Sequence, residues 1–361
     1  MTNIPSPYRV DFFNELGKQT ELTVIFEKKA SGERNEQWHS YDFRNFKAVF
    51  LGGIATDTDK AFCPGIIHWL KIRDYDQIVI TNVATPTGIL ALLYLKKNKM
   101  PYIIEGDGGI AKDGKGMKER AKRLLIGNAK AYFSTSAALD QYFLQYGAVE
   151  QTIYRYPFTS IRESDIVPQP VSPDEKKQIR EDLGITCEKM IISVGRLIYR
   201  KGFDLFLEAG EEIDQTTGIY LIGAEVTDTY SKEVERKKTS QIQFVPHRSK
   251  EELALYYKAA DLLVLPTRED IWGLVVNEAM SYGLPVVTTN RCIAGVELVT
   301  DSENGFLIPV EDPTAMADKI NEILENDVLR QRMSEESLRR IHDYTIEKMA
   351  ATHVNLLEEL S

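Results

Sequence analysis

Short apolar runs alternate along this chain with longer stretches in which apolar positions recur every three or four residues. The runs Leu22–Glu27, Ala48–Leu51, Gln77–Thr81, Tyr102–Glu105 and Ala131–Thr135 predict buried strands, and Pro86–Asn98 and Ala137–Tyr146 predict helices between them. A polar, proline-bearing stretch at 162–173 reads as a linker. The alternation then restarts, with strands predicted at Met190–Val194, Gly218–Ile222, Gln241–Val245, Asp261–Pro266, Pro285–Thr289 and Gly305–Pro309, and helices at Phe203–Glu211, Lys250–Ala259 and Leu274–Tyr282. Such alternation predicts an α/β fold of two Rossmann-like, doubly wound domains, 1–161 and 174–342, each with a parallel sheet covered on both faces. The opening of the first domain departs from this pattern. Only Met1 and Thr2 precede the turn-like Asn3–Arg9, so either the first strand is largely missing or the start is not the natural one.

Composition narrows the function classes. With 361 residues and 43% hydrophobic content, the chain can bury more than one core. No apolar run approaches the roughly 18 residues of a membrane span, and the N-terminus lacks the pattern of a secretory signal. The three cysteines, Cys63, Cys187 and Cys292, are isolated, which fits a reducing cytoplasm and predicts neither a zinc site nor a disulfide framework. A net charge of -10 argues against nucleic-acid partners.

In doubly wound sheets, ligands sit beyond the carboxyl ends of the strands. After Met190–Val194 come Gly195, Arg196, Leu197 and, four positions further, Lys201-Gly202, then a helix. Glycines, two cations and a helix start outline a diphosphate site, with a solvated basic turn as the alternative. After Asp261–Pro266 come Thr267-Arg268-Glu269-Asp270-Ile271-Trp272-Gly273, and the next helix begins at Leu274 with Glu278 inside it. Asp270 and Glu278 could bind hydroxyls at opposite ends of a sugar nucleotide, with the amides of Gly273, Leu274 and Val275 facing its phosphates. For either acid alone, a helix-start charge or a solvated face is the alternative.

The G-R-L-x3-K-G loop, the segment DIWGLVVNEAM and the following SYGLPVV together resemble glycosyltransferase family four, retaining enzymes of the GT-B fold. The PSPYR-x-x-FF opening resembles the bacterial capsular, exopolysaccharide and lipopolysaccharide sugar transferases of that family. The resemblance implies two domains facing a central cleft that closes on the donor, the first holding the acceptor and the second the nucleotide sugar, with residues 343–361 packing back on the first. It implies that Arg196 and Lys201 hold the donor diphosphate, that Glu278 binds the ribose, and that Asp270, in place of the usual glutamate, contacts the transferred sugar with or without Glu269. A UDP-sugar is the first expectation for the donor and a GDP-sugar the second, with no metal and no other cofactor. Gly223-Ala224-Glu225 departs from the family's turn near the base, and His247 and Arg248 line the base pocket or a surface loop.

Glu105 and Asp107, at the end of the fourth strand, are the acceptor-side candidates, as groups that orient a hydroxyl or stabilise positive charge at the anomeric carbon; a tight acidic turn is the alternative. Arg9 is a candidate for an acceptor phosphate. The pair Asp57 and Asp59 reads as a solvated loop. Between 112 and 130, the cations Lys112, Lys115, Lys118, Arg120, Lys122, Arg123 and Lys130 face only Asp113 and Glu119, and Met117, Ala121, Leu124 and Leu125 form one helical stripe. That stripe either lies on an anionic membrane, placing the protein peripherally on the inner face of the plasma membrane near a lipid-linked saccharide acceptor, or packs on the domain's own sheet. A sugar-nucleotide epimerase of the same fold and an inactive nucleotide-sugar-binding subunit are the competing functions.

Overall fold

The computed structural model of the chain describes residues 1–29, 42–58, 60–72, 74–111, 114, 116–223, 229–237 and 241–361. Asp59, Lys112, Asp113, Lys115, Ala224 and Glu225, singled out above, lie outside these residues. The chain divides into two units, Met1–Ser160 with Thr345–Ser361, and Ile161–Tyr344.

The first unit contains α1 (Pro7–Leu16), β1 (Thr23–Phe26), β2 (Lys47–Phe50), the hairpin β3 (Ile54–Ala55) and β4 (Ala61–Phe62), α2 (Ile66–Ile72), β5 (Val79–Ile80), α3 (Pro86–Lys97), β6 (Ile103–Glu105), α4 (Met117–Ile126), β7 (Ala131–Ser134), α5 (Ala137–Gln145) and β8 (Ile153–Arg155). Strand β1 pairs with β2, and β5 to β8 follow one another; all these pairs are parallel. Residues Met1–Asn3 lie between the two sheets, in the position of the expected opening strand. Thr2 N–H donates to Ile25 O at 3.0 Å, and Thr81 N–H donates to Met1 O at 3.1 Å. Helix α3 starts where Thr85 accepts from Gly88 N–H and Pro86 sets the first helical φ. It then buries Leu92 and Leu95 against Ile104, Tyr132 and Phe143.

The second unit contains α6 (Pro173–Asp182), β9 (Lys189–Val194), α7 (Phe203–Ala209), β10 (Thr217–Ile222), α8 (Thr229–Arg236), β11 (Ile242–Val245), α9 (Lys250–Ala259), β12 (Leu262–Leu265), α10 (Leu274–Ser281), β13 (Val286–Thr289), α11 (Ile293–Leu298), β14 (Gly305–Ile308), α12 (Pro313–Glu325) and α13 (Asp327–Ile341). Its six strands run parallel in the order β11-β10-β9-β12-β13-β14, so the winding reverses between β9 and β12. Every residue of β12 and β13 is buried, as apolar runs without alternation require. Phe203 and Phe206 of α7 and Ile320 and Ile323 of α12 join the same core, each such side chain contributing roughly 1.5–3 kcal/mol. Residues 162–173, read as a linker, group with this unit: Val167 N–H donates to Ser281 O at 2.9 Å, and Lys250 Nζ lies 2.8 Å from Asp165 Oδ2.

Helix α14 (Ile346–Glu359), capped by Thr345 through Lys348 N–H, belongs to the first unit. Its His353 ring packs 4.8 Å from Phe12 of α1 and 4.5 Å from Tyr156, and Gln77 Nε2 donates to Leu360 O at 2.8 Å. Among the described residues, no helix is long and apolar enough to cross a membrane.

Candidate active site

The reversal between β9 and β12 places two loops side by side at the carboxyl edge of the second sheet, where a doubly wound sheet leaves a crevice for ligand. The loop after β9 runs through Gly195 and the exposed Arg196 into a 3-10 turn, Tyr199–Lys201, that ends at Gly202. Gly202 has φ 69°, and a Cβ there would stand 2.0 Å from Pro266 O. Only glycine lets the turn press this closely on the end of β12. The loop after β12 answers it: Arg268 N–H and the Thr267 hydroxyl both donate to Arg200 O, at 2.8 and 3.0 Å, and Arg200 Nη1 donates to Glu269 O at 2.7 Å. Lys201 Nζ meets Asp270 Oδ2 at 2.5 Å, with side chains only 16% and 10% exposed. Glu269 turns instead toward Arg291, 3.4 Å away.

Helix α10 opens at Gly273, whose φ of 106° belongs to the left-handed region and whose missing Cβ leaves room for Cys292 Sγ. The amides of Gly273, Leu274 and Val275 thus stand at the start of a helix, where the backbone offers donors without intrahelical acceptors. Trp272 is buried below, its Nε1 donating to Asn277 Oδ1 at 2.8 Å. Glu278 accepts a 3.0 Å hydrogen bond from Tyr257, which stacks on Tyr282 with centroids 5.4 Å apart. Burial, with the Glu278 carboxylate adding to it, pushes the Tyr257 phenol well above its ordinary range, so its proton stays to donate. Tyr257 lay beyond sequence reasoning, because nothing local in α9 signals a partner 21 positions on.

Three sequence expectations change. The start of α7 is not open to an anion: Asp204 in its first turn already places a carboxylate there, held by Arg268 at 2.8 Å and by the Tyr230 hydroxyl at 2.6 Å. Burial would raise the Asp204 carboxyl, but these partners outweigh it and hold it low. Of the groups expected at a diphosphate, Arg196, Lys201 and the start of α10 remain. In the first unit, Arg9 does not stand in a loop ready for a phosphate but lies buried in α1, its guanidinium 3.1 Å from Glu105 and 3.0 Å from Asp107. Glu105 is enclosed too, with a side chain 4% exposed, His353 Nε2 at an ion-pair separation of 3.7 Å and the Tyr156 hydroxyl at 3.5 Å. Burial alone would raise its carboxyl; His353 and Arg9 reverse that and hold it at about 2. Enclosed in this way, Glu105 cannot orient an acceptor hydroxyl, whereas Asp107 keeps 39% of its side chain exposed. His247 is exposed and Arg248 half-buried after β11.

Residues 175–340 match the family model described as Glycosyl transferases group 1. The matched span lies within the second unit, which is similar to the group 1 glycosyl transferases. An uncharacterized glycosyltransferase of Haemophilus influenzae is 30% identical over 167 residues, 45% of this chain and 46% of that protein. A D-inositol 3-phosphate glycosyltransferase of Corynebacterium diphtheriae is 31% identical over 182 residues, 47% of this chain and 42% of that protein. The chain spans about half the length of the curated relatives it matches. HepE of Anabaena, solved with UDP, superimposes with a TM-score of 0.80 at 15% identity, covering 99% of this chain and 100% of that one, and it has also been solved with UDP-glucose. At that identity the likeness speaks for the fold, which is GT-B. The matched span contains every donor-side candidate.

Two expected outcomes follow from this geometry. Gly202→Ala should lower the stability of the second unit by about 1–3 kcal/mol, because φ and the Pro266 carbonyl both oppose a side chain; an unchanged denaturant midpoint would contradict the close approach. Because the folded Glu105 carboxyl lies at about 2, below its ordinary 4.5, its ionised form stabilises the first unit above pH 4.5, and that contribution is lost as pH falls from 4.5 toward 2. Glu105→Gln should flatten the midpoint's pH dependence across that window, in denaturant titrations followed by fluorescence.

Proposed function

We propose that the chain is a retaining glycosyltransferase of family four, in the hexosyltransferase class, that moves a sugar from a UDP-sugar to a lipid-linked saccharide in the synthesis of cell-surface polysaccharide. The observation that carries this reading is the Lys201–Asp270 ion pair at the winding reversal of the second sheet, with Arg196 in the loop after β9 and Glu278 in the helix that follows the β12 loop. The UDP and UDP-glucose complexes of HepE support UDP as the carrier. In this reading Glu278, steadied by Tyr257, takes the ribose hydroxyls, and Arg196, Lys201 and the α10 amides face the diphosphate. Asp270 and Glu269 face the sugar. As the bond from the anomeric carbon to the diphosphate breaks, negative charge grows on the leaving phosphate, where preorganised cations and amides act most strongly. The acceptor oxygen bonds to the same face of that carbon, and its proton passes to the departing phosphate. Asp107, held by Arg9, is the acceptor-side group in reach of solvent.

Release of nucleoside diphosphate from a panel of UDP- and GDP-sugars, with and without lipid-linked acceptors, tests the reaction. Lys201→Ala should lower turnover by about two to four orders of magnitude, as loss of a stabiliser at a developing anion does. Near-normal turnover would reject the assignment. Tyr257→Phe should leave the fold intact and weaken UDP binding by about 1 kcal/mol in calorimetry; unchanged affinity would detach Glu278 from the ribose.

The proposal includes a peripheral membrane location, and α4 supports it: Met117 and Leu124 are 86% and 64% exposed, and Ala121 is exposed between them. Of that helix only Ile126 is buried, so the Met117 and Leu124 end of the stripe does not pack on the sheet. With Lys118 and Arg120 beside it, this face suits the anionic inner leaflet, at roughly 1 kcal/mol per nearby cation. Native protein should sediment with anionic vesicles, less so at high salt, and a Met117→Glu, Leu124→Glu double variant should not. Equal sedimentation of both would remove the membrane from the proposal.

A further inference from the structure

Arg268 lies two residues before Asp270, yet its side chain points to neither the sugar nor the phosphates in the arrangement above. It is 11% exposed, and its guanidinium reaches three separate segments. Nη1 and Nη2 meet the two oxygens of Asp204 at 2.8 Å each, Nε meets Glu311 Oε1 at 2.5 Å, and Nη1 also donates to Tyr199 O at 2.8 Å. The guanidinium plane covers the Tyr199 ring, 3.9 Å from its centroid. Tyr230 closes the far side, its hydroxyl donating to Asp204 at 2.6 Å and accepting from Asp204 N–H at 3.2 Å.

An exposed ion pair contributes little, but a bidentate, stacked and largely enclosed arginine is a different case. Tyr199 opens the 3-10 turn whose last residue is Lys201. Apart from Glu311, the contacts of Arg268 are therefore contacts to that turn and its helix: to the turn's first carbonyl, to its first ring, and through Asp204 to the helix that follows. Arg268 N–H, donating to Arg200 O, adds a backbone tie to the middle residue.

The geometry points to Arg268 as a positioning residue of the donor site, one that fixes the Tyr199–Lys201 turn so that the Lys201 ammonium stands at the diphosphate. The inference rests on the donor-site reading above, and it makes the effect of Arg268 pass through Lys201. Lysine in its place keeps the charge but has neither the planar fork for Asp204 nor the flat face for Tyr199.

Calorimetry with UDP on the native chain, Lys201→Ala, Arg268→Gln, Arg268→Lys and the Lys201→Ala, Arg268→Gln double variant tests it. Arg268→Gln should weaken UDP binding on the order of tenfold, Arg268→Lys should not restore it, and the double variant should bind no more weakly than Lys201→Ala alone, as expected for residues acting as one unit. Additive losses, native affinity in Arg268→Gln, or full rescue by lysine would overturn the positioning role and leave the donor site standing. If the native chain binds neither UDP nor GDP, the donor site falls and the role falls with it. Should Arg268→Gln fail to fold by circular dichroism, Tyr199→Leu replaces it in the same cycle: the ring is lost while every charge stays, a non-additive loss again supports the role, and no loss overturns it.

Discussion

The pairing of Lys201 with Asp270 across the winding reversal is the contact on which the second unit's functional edge depends. Both side chains are largely withdrawn from water, and an enclosed charge is tolerable only when matched. The parallel sheet delivers β9 and β12 to the same edge; the ion pair then decides how their loops meet. Asp270 is fixed from behind, since its N–H donates to Arg291 O at 3.0 Å and its carbonyl accepts from Ile293 N–H at 3.2 Å. A carboxylate held so close to the backbone is short by one methylene, and Lys201 comes to it. In the proposed donor site this couples the phosphate and sugar ends, because the ammonium assigned to one is anchored by the acid assigned to the other. An ammonium has three donors, so a phosphate oxygen can be added without removing Asp270.

The first unit solves an equivalent problem with residues from the two ends of the chain. Glu105 ends the buried strand β6, where an unpaired carboxylate would be costly, and Arg9 from α1 and His353 from α14 converge on it. One consequence is structural: α14 brings the His353 ring to within 3.7 Å of the strand-end carboxylate while it packs on α1. The other concerns Asp107. Arg9 spans both acids, so the exposed Asp107 carboxylate inherits a fixed position from the buried one.

The strands were legible because parallel strands buried on both faces write themselves as unbroken apolar runs, and β9 to β14 fall within a residue or so of the predicted runs. The opening stub was not, since Met1–Asn3 earns its strand position from neighbours at Ile25 and Thr81 rather than from its own pattern. The G-R-L-x3-K-G and acid-x7-Glu spacings bring Lys201 and Asp270 into view, because each sits beside a strand end that the pattern already marks. Arg268, Tyr257 and His353 escape because their partners lie 64, 21 and 248 positions away. Glu105 misleads for the same reason: a strand-end acid looks available until the two helices that enclose it are in place. Periodicity found the α4 stripe but could not say whether anything covers it, and most of it is bare.

A site of this kind places much of its ordering in the folding of the domain rather than in the encounter with ligand. The left-handed glycines Gly202 and Gly273 show how: each lets backbone approach where a Cβ would collide, with Pro266 O in one case and Cys292 Sγ in the other. Glycine loses more backbone entropy on ordering than other residues, by roughly 0.5–1 kcal/mol relative to alanine, and the paired charges around it gain little net stability once desolvation is counted. Neither feature makes sense as stabilisation of the sheet, which β12 and β13 already supply through wholly buried strands. Under the proposed function both make sense as prior alignment of dipoles and charges toward a developing anion, because groups already fixed need not reorganise when the charge appears. On the proposed reading the edge of the second unit is ordered before the donor arrives, and the contacts of the Tyr199–Lys201 turn carry that order to Lys201.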